Sequence, residues 1–151
     1  MRILGLIVAL TLAGNTAAPA DETEIPLDKV PKPVAEAFEK KFPEATLKAA
    51  IREEEGGKVS YELESTLGGL TLDAVLTPPG EFMAIEREIK ASDLPAPAVA
   101  AAKARYAKGK ITKAVKVDTK GKITFEAVVK KEDGKSATLL FDKDGKFIEE
   151  E

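Results

Sequence analysis

The chain of 151 residues contains no cysteine, no histidine and no tryptophan. Without cysteine it cannot form disulfide bonds, so its stability must come from an ordinary hydrophobic core. Without histidine it lacks the commonest general base, the commonest zinc ligand and the usual partner of a serine or cysteine nucleophile. These absences argue against catalysis, and the sequence predicts no catalytic residue, no metal site and no cofactor.

The sequence also lacks a strong excess of either charge. It has 23 basic and 26 acidic residues, which gives a net charge of −3 at pH 7. Proteins that bind nucleic acid carry a marked basic excess on the binding surface. Nucleic acid is therefore not an expected partner, and the sequence contains no glycine-rich phosphate-binding loop.

Long hydrophobic runs are absent except at the start of the chain. The segment MRILGLIVALTLAGNTAAPA is typical of a secretory signal peptide, with Arg2, an apolar run from Ile3 to Ala13 and small residues at Ala18 and Ala20. This run is shorter than the roughly 20 apolar residues that a membrane-spanning helix needs. We expect cleavage after Ala18 or Ala20, and export of a chain without a membrane span to the bacterial periplasm or medium.

One pattern occurs twice in the remainder of the sequence. GKVSYELE begins at Gly57 and GKITFEAV begins at Gly121, which is an offset of 64 residues. The same offset aligns residues 30–33, VPKP, with residues 94–97, LPAP. After an insertion of one residue, GEF at 80–82 aligns with GKF at 145–147. We therefore predict a signal peptide at 1–20 and two tandem repeats, at 21–90 and 91–151.

Each repeat begins with a helix and continues with strands. Apolar residues recur at helical spacing after the prolines, at Val34, Ala37 and Phe38, and later segments alternate apolar with polar residues. Such alternation is typical of an antiparallel sheet with one packed face. The predicted fold is α+β, with two helix-plus-antiparallel-meander repeats, their sheets side by side in one curved sheet and both helices on one face. Ala102 replaces Phe38 in the second helix, which predicts a closer or weaker contact with the sheet.

The alternation also predicts which strand residues face the helices. In the first strand after each helix we expect the inward series to be Leu47, Ala49, Ile51 and, in the second repeat, Ile111, Val115, Val117. Lys113 falls within the second series, where a charged residue is out of place. We expect it at a sheet edge, with its aliphatic stem against the core.

Residues 30–64 and 94–129 resemble the tandem PepSY-like pattern of β-lactamase-inhibitor-like proteins. The shared features are a helix that starts at proline and ends near an aromatic residue, and a strand of the form GK-hydrophobic-x-aromatic-E. The resemblance extends from Leu27 to Glu151. It implies an exported protein with a binding or inhibitory role, because PepSY-type domains occur in exported bacterial proteins and in peptidase propeptides.

The open face of the sheet is the predicted binding surface. We expect it to present the partner-binding residues Arg52, Ser60, Glu62, Thr124 and Glu126. Glu62 and Glu126 should stand in water there, as solubilising residues and not as a catalytic acid and base. Tight inhibition of a β-lactamase is not expected, because the sequence places its aromatic residues inside and binding hot spots favour Trp, Tyr and Arg.

The sequence thus predicts an exported, non-enzymatic module that binds or inhibits an envelope or secreted protein such as a peptidase. A second hypothesis remains open at this point, a periplasmic protein that binds a small ligand or a cation. It rests on the acidic runs at residues 53–55 and 149–151 and on a groove between the two repeats.

Overall fold

The computed structural model describes residues 21–151, so the predicted signal peptide lies outside the described residues. The described chain contains two α-helices, nine β-strands and two short 3-10 helices at Leu27–Lys29 and Ala91–Asp93. The helices are α1 (Lys32–Lys41) and α2 (Ala96–Arg105). The strands are β1 (Asp21–Ile25), β2 (Thr46–Glu55), β3 (Lys58–Leu67), β4 (Leu70–Leu76), β5 (Phe82–Ile89), β6 (Lys110–Thr119), β7 (Lys122–Lys130), β8 (Ser136–Asp142) and β9 (Phe147–Glu150).

All nine strands form one antiparallel sheet in the order in which they occur along the chain. The helices pack on the same face, since α1 shares a core with β2, β3 and β4, and α2 shares a core with β6, β7 and β8. This architecture confirms the predicted fold class. Neither helix in residues 21–151 has the length and apolarity to cross a membrane.

Strand β5 belongs to both repeats. On one side it pairs with β4, and on the other side residues 85–89 pair with β6. The pairing of Ile89 with Ala114 repeats the pairing of Ile25 with Ala50, at the offset of 64 residues. The last strand of the first repeat therefore serves as the first strand of the second, and the predicted division at residue 90 falls directly after it.

Two hydrophobic cores lie between the helices and the sheet, one in each repeat. The first buries Val34 and Phe38 of α1, and the second buries Ala98 and Ala102 of α2. The strand residues in the first core are Ala50, Leu63, Leu72, Ala74 and Leu76, and those in the second are Ala114, Ala127, Val129, Leu139 and Phe141.

A hairpin glycine contacts the start of each helix. Gly80 has a positive φ of 91°, and a Cβ atom there would lie 2.5 Å from the carbonyl oxygen of Pro33. Gly145, at φ 82°, takes the equivalent place beside Pro95 and Ala98. Only a residue without a side chain fits this backbone conformation and this close approach. The contact explains why the two repeats share both the prolines and the glycine.

A β-bulge near the start of β2 and of β6 changes which residues face the helices. The pairing shifts between Leu47 and Ala49, and again between Ile111 and Lys113. A bulge inserts one residue on one strand, and the residues beyond it exchange faces. The predicted inward series is therefore wrong after its first member in each repeat. The helices cover Ala50 and Ala114, and the opposite face carries Ala49, Ile51, Lys113, Val115 and Val117.

Candidate functional site

The sheet face opposite the helices concentrates negative charge at its centre. We call this central region the acidic face. Residues paired directly across an antiparallel sheet lie on the same face, so the strand register defines its members. They are Glu62, Glu64, Asp73, Glu86, Glu88 and Glu126, together with Lys113.

Aliphatic side chains flank the carboxylates in the same way in both repeats. Glu62 lies across from Ile51 on one side and Val75 on the other. Glu126 lies across from Val115 and Leu140 at the corresponding positions. Each repeat therefore places one glutamate between two aliphatic residues, and the acidic face is amphipathic as well as charged.

Parts of this face are buried although both helices lie on the other side of the sheet. Val117 is only 1% exposed and Val115 is 8% exposed. Since no helix covers this face among the described residues, side chains of neighbouring strands must screen one another from water. Bulges increase local twist, and those in β2 and β6 recur at the same place in each repeat.

The prediction that Glu62 and Glu126 stand in water is wrong. Glu126 is buried, with 6% exposure, and Glu62 is half-buried. The aliphatic residues on the neighbouring strands remove water from both carboxyl groups. Among the described residues, Glu126 has neither a hydrogen bond nor an ion pair from its side chain.

Burial changes the acidity of the central carboxyl groups. Loss of water raises the pKa of Glu62 to about 7, and repulsion from Glu53 and Asp73 adds to this effect. Loss of water likewise raises the pKa of Glu86 to about 7, with a further contribution from Glu126 and a smaller opposing one from Lys113. Both groups are therefore partly protonated near neutral pH.

Two further members of the acidic face titrate above their ordinary range. Loss of water raises the pKa of Asp73 to about 6, although a hydrogen bond of 3.4 Å from the Ser65 backbone N–H to its Oδ1 favours the charged form. Burial also raises the pKa of Glu126, and Lys113 opposes this shift. Lys113 thus acts as the counter-charge of the acidic face.

The sheet places four of the five predicted binding residues on the same side as the acidic face, and two of them, Glu62 and Glu126, belong to it. Ser60 and Glu62 lie in β3, and Thr124 and Glu126 lie in β7, all on the side opposite the helices. Arg52 does not join them. It lies across from Tyr61 on the helix side, and its Nη2 atom is 2.7 Å from Oε2 of Glu54.

Sequence reasoning missed Asp73, Glu86 and Lys113 as parts of the site. Glu86 lies in β5, and aligning residues 85–89 with residues 21–25 at the offset of 64 places it in a strand that pairs on this edge as well. The position of Lys113 within an apolar series was the available signal of the bulge. Its side chain points to the acidic face because the strand changes register just before it.

The chemistry of the acidic face allows it to attract a cationic group. Within residues 21–151, no group of three or more acidic side chains is arranged to hold a metal ion. Half-buried carboxylates between aliphatic residues attract ammonium and guanidinium groups, which carry an apolar stem behind the charge. The geometry therefore favours lysine or arginine side chains as ligands.

Comparison with known proteins assigns the fold to a family. The family described as "Putative beta-lactamase-inhibitor-like, PepSY-like" matches the sequence twice, at residues 18–75 and 59–149. This chain belongs to that family. The two matches overlap across β3 and β4. The search of curated proteins found no match for this PepSY-like chain.

Solved structures share the PepSY-like architecture at low sequence identity. A "putative periplasmic" protein of Bacteroides eggerthii superposes with a TM-score of 0.68 at 17% identity, covering 81% of this chain and 88% of its own. A DUF2874 family protein of Bacteroides uniformis gives 0.64 at 16% identity, with 80% and 88% covered. A BLIP-like protein of Bacteroides fragilis gives 0.60 at 22% identity, with 80% and 84% covered.

Proposed function

We propose that this PepSY-like chain is an exported, non-enzymatic module that binds or inhibits an envelope or secreted protein, such as a peptidase. The partner presents a lysine- or arginine-bearing segment to the acidic face, where Ser60, Glu62, Thr124 and Glu126 contribute to the contact. The observation that carries this proposal is the central cluster of carboxylates, which has one lysine as its counter-charge.

Export is supported by the signal-peptide pattern of the first twenty residues. The description of the Bacteroides eggerthii structure as periplasmic agrees with this placement. A non-enzymatic role is supported by the chemistry of the acidic face, because its carboxylates have no histidine, cysteine or activated hydroxyl beside them.

The charge of the acidic face supports a cationic partner on physical grounds. Loss of water is the main cause of the raised pKa values of Glu62 and Glu86, and repulsion from neighbouring carboxylates adds to it. A cation that approaches removes this repulsion and favours the charged form of each group. Complementary charge also accelerates encounter and selects among partners, while the aliphatic residues between the carboxylates contribute apolar contact area.

The experiment measures binding of oligolysine to the purified protein by fluorescence anisotropy, with oligoglutamate of the same length as the comparison. We expect oligolysine to bind and oligoglutamate not to bind at about 0.15 M salt. The double variant Glu62→Gln, Glu86→Gln should weaken oligolysine binding by about tenfold.

A matched control removes the same charge from a different surface. Glu36 and Glu39 lie exposed on α1, and their double replacement by glutamine should change the dissociation constant by less than about twofold. If both double variants weaken binding equally, attraction depends on net charge alone and the acidic face is not the site.

The natural partner can be tested against the same surface in cells. A photo-reactive amino acid at Thr124 should capture a protein through the acidic face, whereas one at Lys116, across from Phe125 on the helix side, should not. If a protein is captured only from Lys116, the binding surface lies on the helix side of the sheet and the proposal is wrong.

A further inference from the structure

A second concave surface lies on the helix side of the sheet, next to α2. It is a cleft of about 760 Å³ that opens to solvent beside the helix. Apolar side chains dominate its lining, with Leu94, Val99, Ala102, Tyr106, Ile111 and Val129 among them. Ala102 and Val129 are buried at its floor, whereas Val99 and Ile111 are half-buried along its sides.

The cleft coincides with the substitution that distinguishes the two helices. Ala102 occupies the position at which α1 carries Phe38, whose ring is fully buried in the first core. Loss of this ring removes bulk from the space between the helix and β6. Gly109, directly before β6, adds no bulk to the same region, and a Cβ atom there would lie 2.6 Å from Cγ1 of Val129.

The charge around the cleft also differs from that of the first helix. Lys103 and Lys110 contribute to the lining, and none of the lining residues is acidic. The positions that correspond to Ala100 and Lys103 in the first helix are Glu36 and Glu39. In residues 21–151 neither Lys103 nor Lys110 forms an ion pair. The second repeat therefore combines an apolar cleft with uncompensated positive charge.

We propose that this cleft binds an amphipathic anion, with an acyl chain along α2 and an anionic head group near Lys103 and Lys110. Its volume falls within the range of about 300–1,000 Å³ that is usual for small-molecule sites, and such sites are mostly apolar with a few polar groups. The site is separate from the acidic face, because the two lie on opposite sides of the sheet.

The test uses dodecanoate as the anionic probe and dodecanol as its neutral analogue. Binding is measured by displacement of a fluorescent fatty acid from the purified protein. We expect saturable binding of dodecanoate at one site. The double variant Lys103→Glu, Lys110→Glu should weaken dodecanoate by about tenfold and dodecanol by less than about twofold.

A second variant tests the apolar part of the site. Ala102→Phe copies the residue of the first helix and should abolish binding of both probes, because its ring fills the floor of the cleft. Where Ala102→Phe fails to fold, Ala100→Glu provides the same test at an exposed position, since it copies Glu36 and places a negative charge on the lining. Loss of dodecanoate binding is expected for it as well.

The control variants lie on the other helix. Glu39→Lys adds a positive charge beside the filled core of the first repeat and should leave binding of dodecanoate unchanged. The proposal is overturned by the absence of saturable binding, by binding that the variants of the cleft do not alter, or by equal losses for dodecanoate and dodecanol in the lysine variant. A negative result with dodecanoate does not affect the separate prediction that oligolysine binds to the acidic face.

Discussion

The two repeats share one topology but distribute their core volume differently. In the first repeat the largest buried side chain, Phe38, comes from the helix, and the facing strand supplies Leu76. In the second repeat the helix supplies Ala102, and the strand supplies Phe141 at the position that corresponds to Leu76. The buried aromatic ring therefore belongs to the helix in the first repeat and to the sheet in the second.

This comparison shows that the fold requires a filled core, but that the large side chain can come from either the helix or the strand. Hydrophobic cores accept simultaneous substitutions when the total volume is kept. The exchange is nevertheless not neutral for the surface. In the first repeat Phe38, Phe42 and Phe82 form a continuous aromatic contact, with ring centroids 5.4 and 6.1 Å apart. In the second repeat the side of α2 is left less covered, which produces the cleft beside it.

The largest expected effect comes from breaking the core of each repeat at its aromatic residue. We predict that Phe38→Ala and Phe141→Ala each lower the free energy of unfolding by about 3–5 kcal/mol, because each leaves a large cavity. Denaturant titration followed by circular dichroism measures the change. Leu27→Ala, at an exposed position, should stay within about 0.5 kcal/mol as a control.

The double variant Phe38→Ala, Leu76→Phe sharpens the comparison, since it copies the arrangement of the second repeat into the first. It should recover part of the stability that Phe38→Ala loses, because neighbouring core residues couple. If the double variant is less stable than Phe38→Ala alone, core volume cannot be exchanged between the two layers and the interpretation of the repeats is wrong.

Much of the fold could be predicted from the sequence because repetition and periodicity are local signals. The offset of 64 residues, the prolines that start each helix and the alternation in β3, β4, β7 and β8 all correspond to the observed elements. The shared role of β5 was not predicted. Pairing of β5 with both β4 and β6 depends on those neighbouring strands, and the sequence pattern of β5 alone does not indicate it.

The acidic face could be predicted only in part, for a different physical reason. Alternation places Glu62 and Glu126 on the correct face, but a bulge reverses the faces of β2 and β6, and only the out-of-place Lys113 in β6 indicates it. This reversal moved Arg52 away from the site and brought Lys113 into it. Burial of Glu126 depends on the side chains that neighbouring strands place beside it, which the pattern of one strand does not determine.

The hairpin glycines give the next largest effect. We predict that Gly80→Ala and Gly145→Ala each cost about 2–3 kcal/mol, because each combines a positive φ with a collision against the start of a helix. Gly121→Ala is the matched control, since its φ is 89° but nothing lies within 4 Å of its Cβ position. It should cost about 1 kcal/mol from backbone strain alone. Equal losses at Gly80 and Gly121 would show that the contact with the helix contributes nothing.

A smaller effect should appear in the dependence of stability on pH. Glu62 and Glu86 have pKa values of about 7 in the folded protein, above the ordinary value of 4.5. Between these values the folded state binds more protons than the unfolded state, so the free energy of unfolding falls as pH rises. We expect a higher thermal midpoint at about pH 5.5 than at about pH 8. Replacing both residues by glutamine should reduce the difference, whereas Glu36→Gln, Glu39→Gln should not.

The smallest expected effect on stability comes from replacing the two equivalent glutamates, Glu62 and Glu126. Glu62→Leu and Glu126→Leu each place an aliphatic side chain between two others, so both should stabilise the protein at about pH 8 by about 1 kcal/mol. Glu126 is the more deeply buried of the two and should gain more. Oligolysine binding should weaken in both variants, because each removes a carboxylate that attracts the cation. The same substitution is therefore expected to stabilise the fold and to weaken binding. A loss of stability in Glu126→Leu would mean that its carboxylate is compensated in the folded state, and the acidic face would then have no surplus charge there to offer a partner.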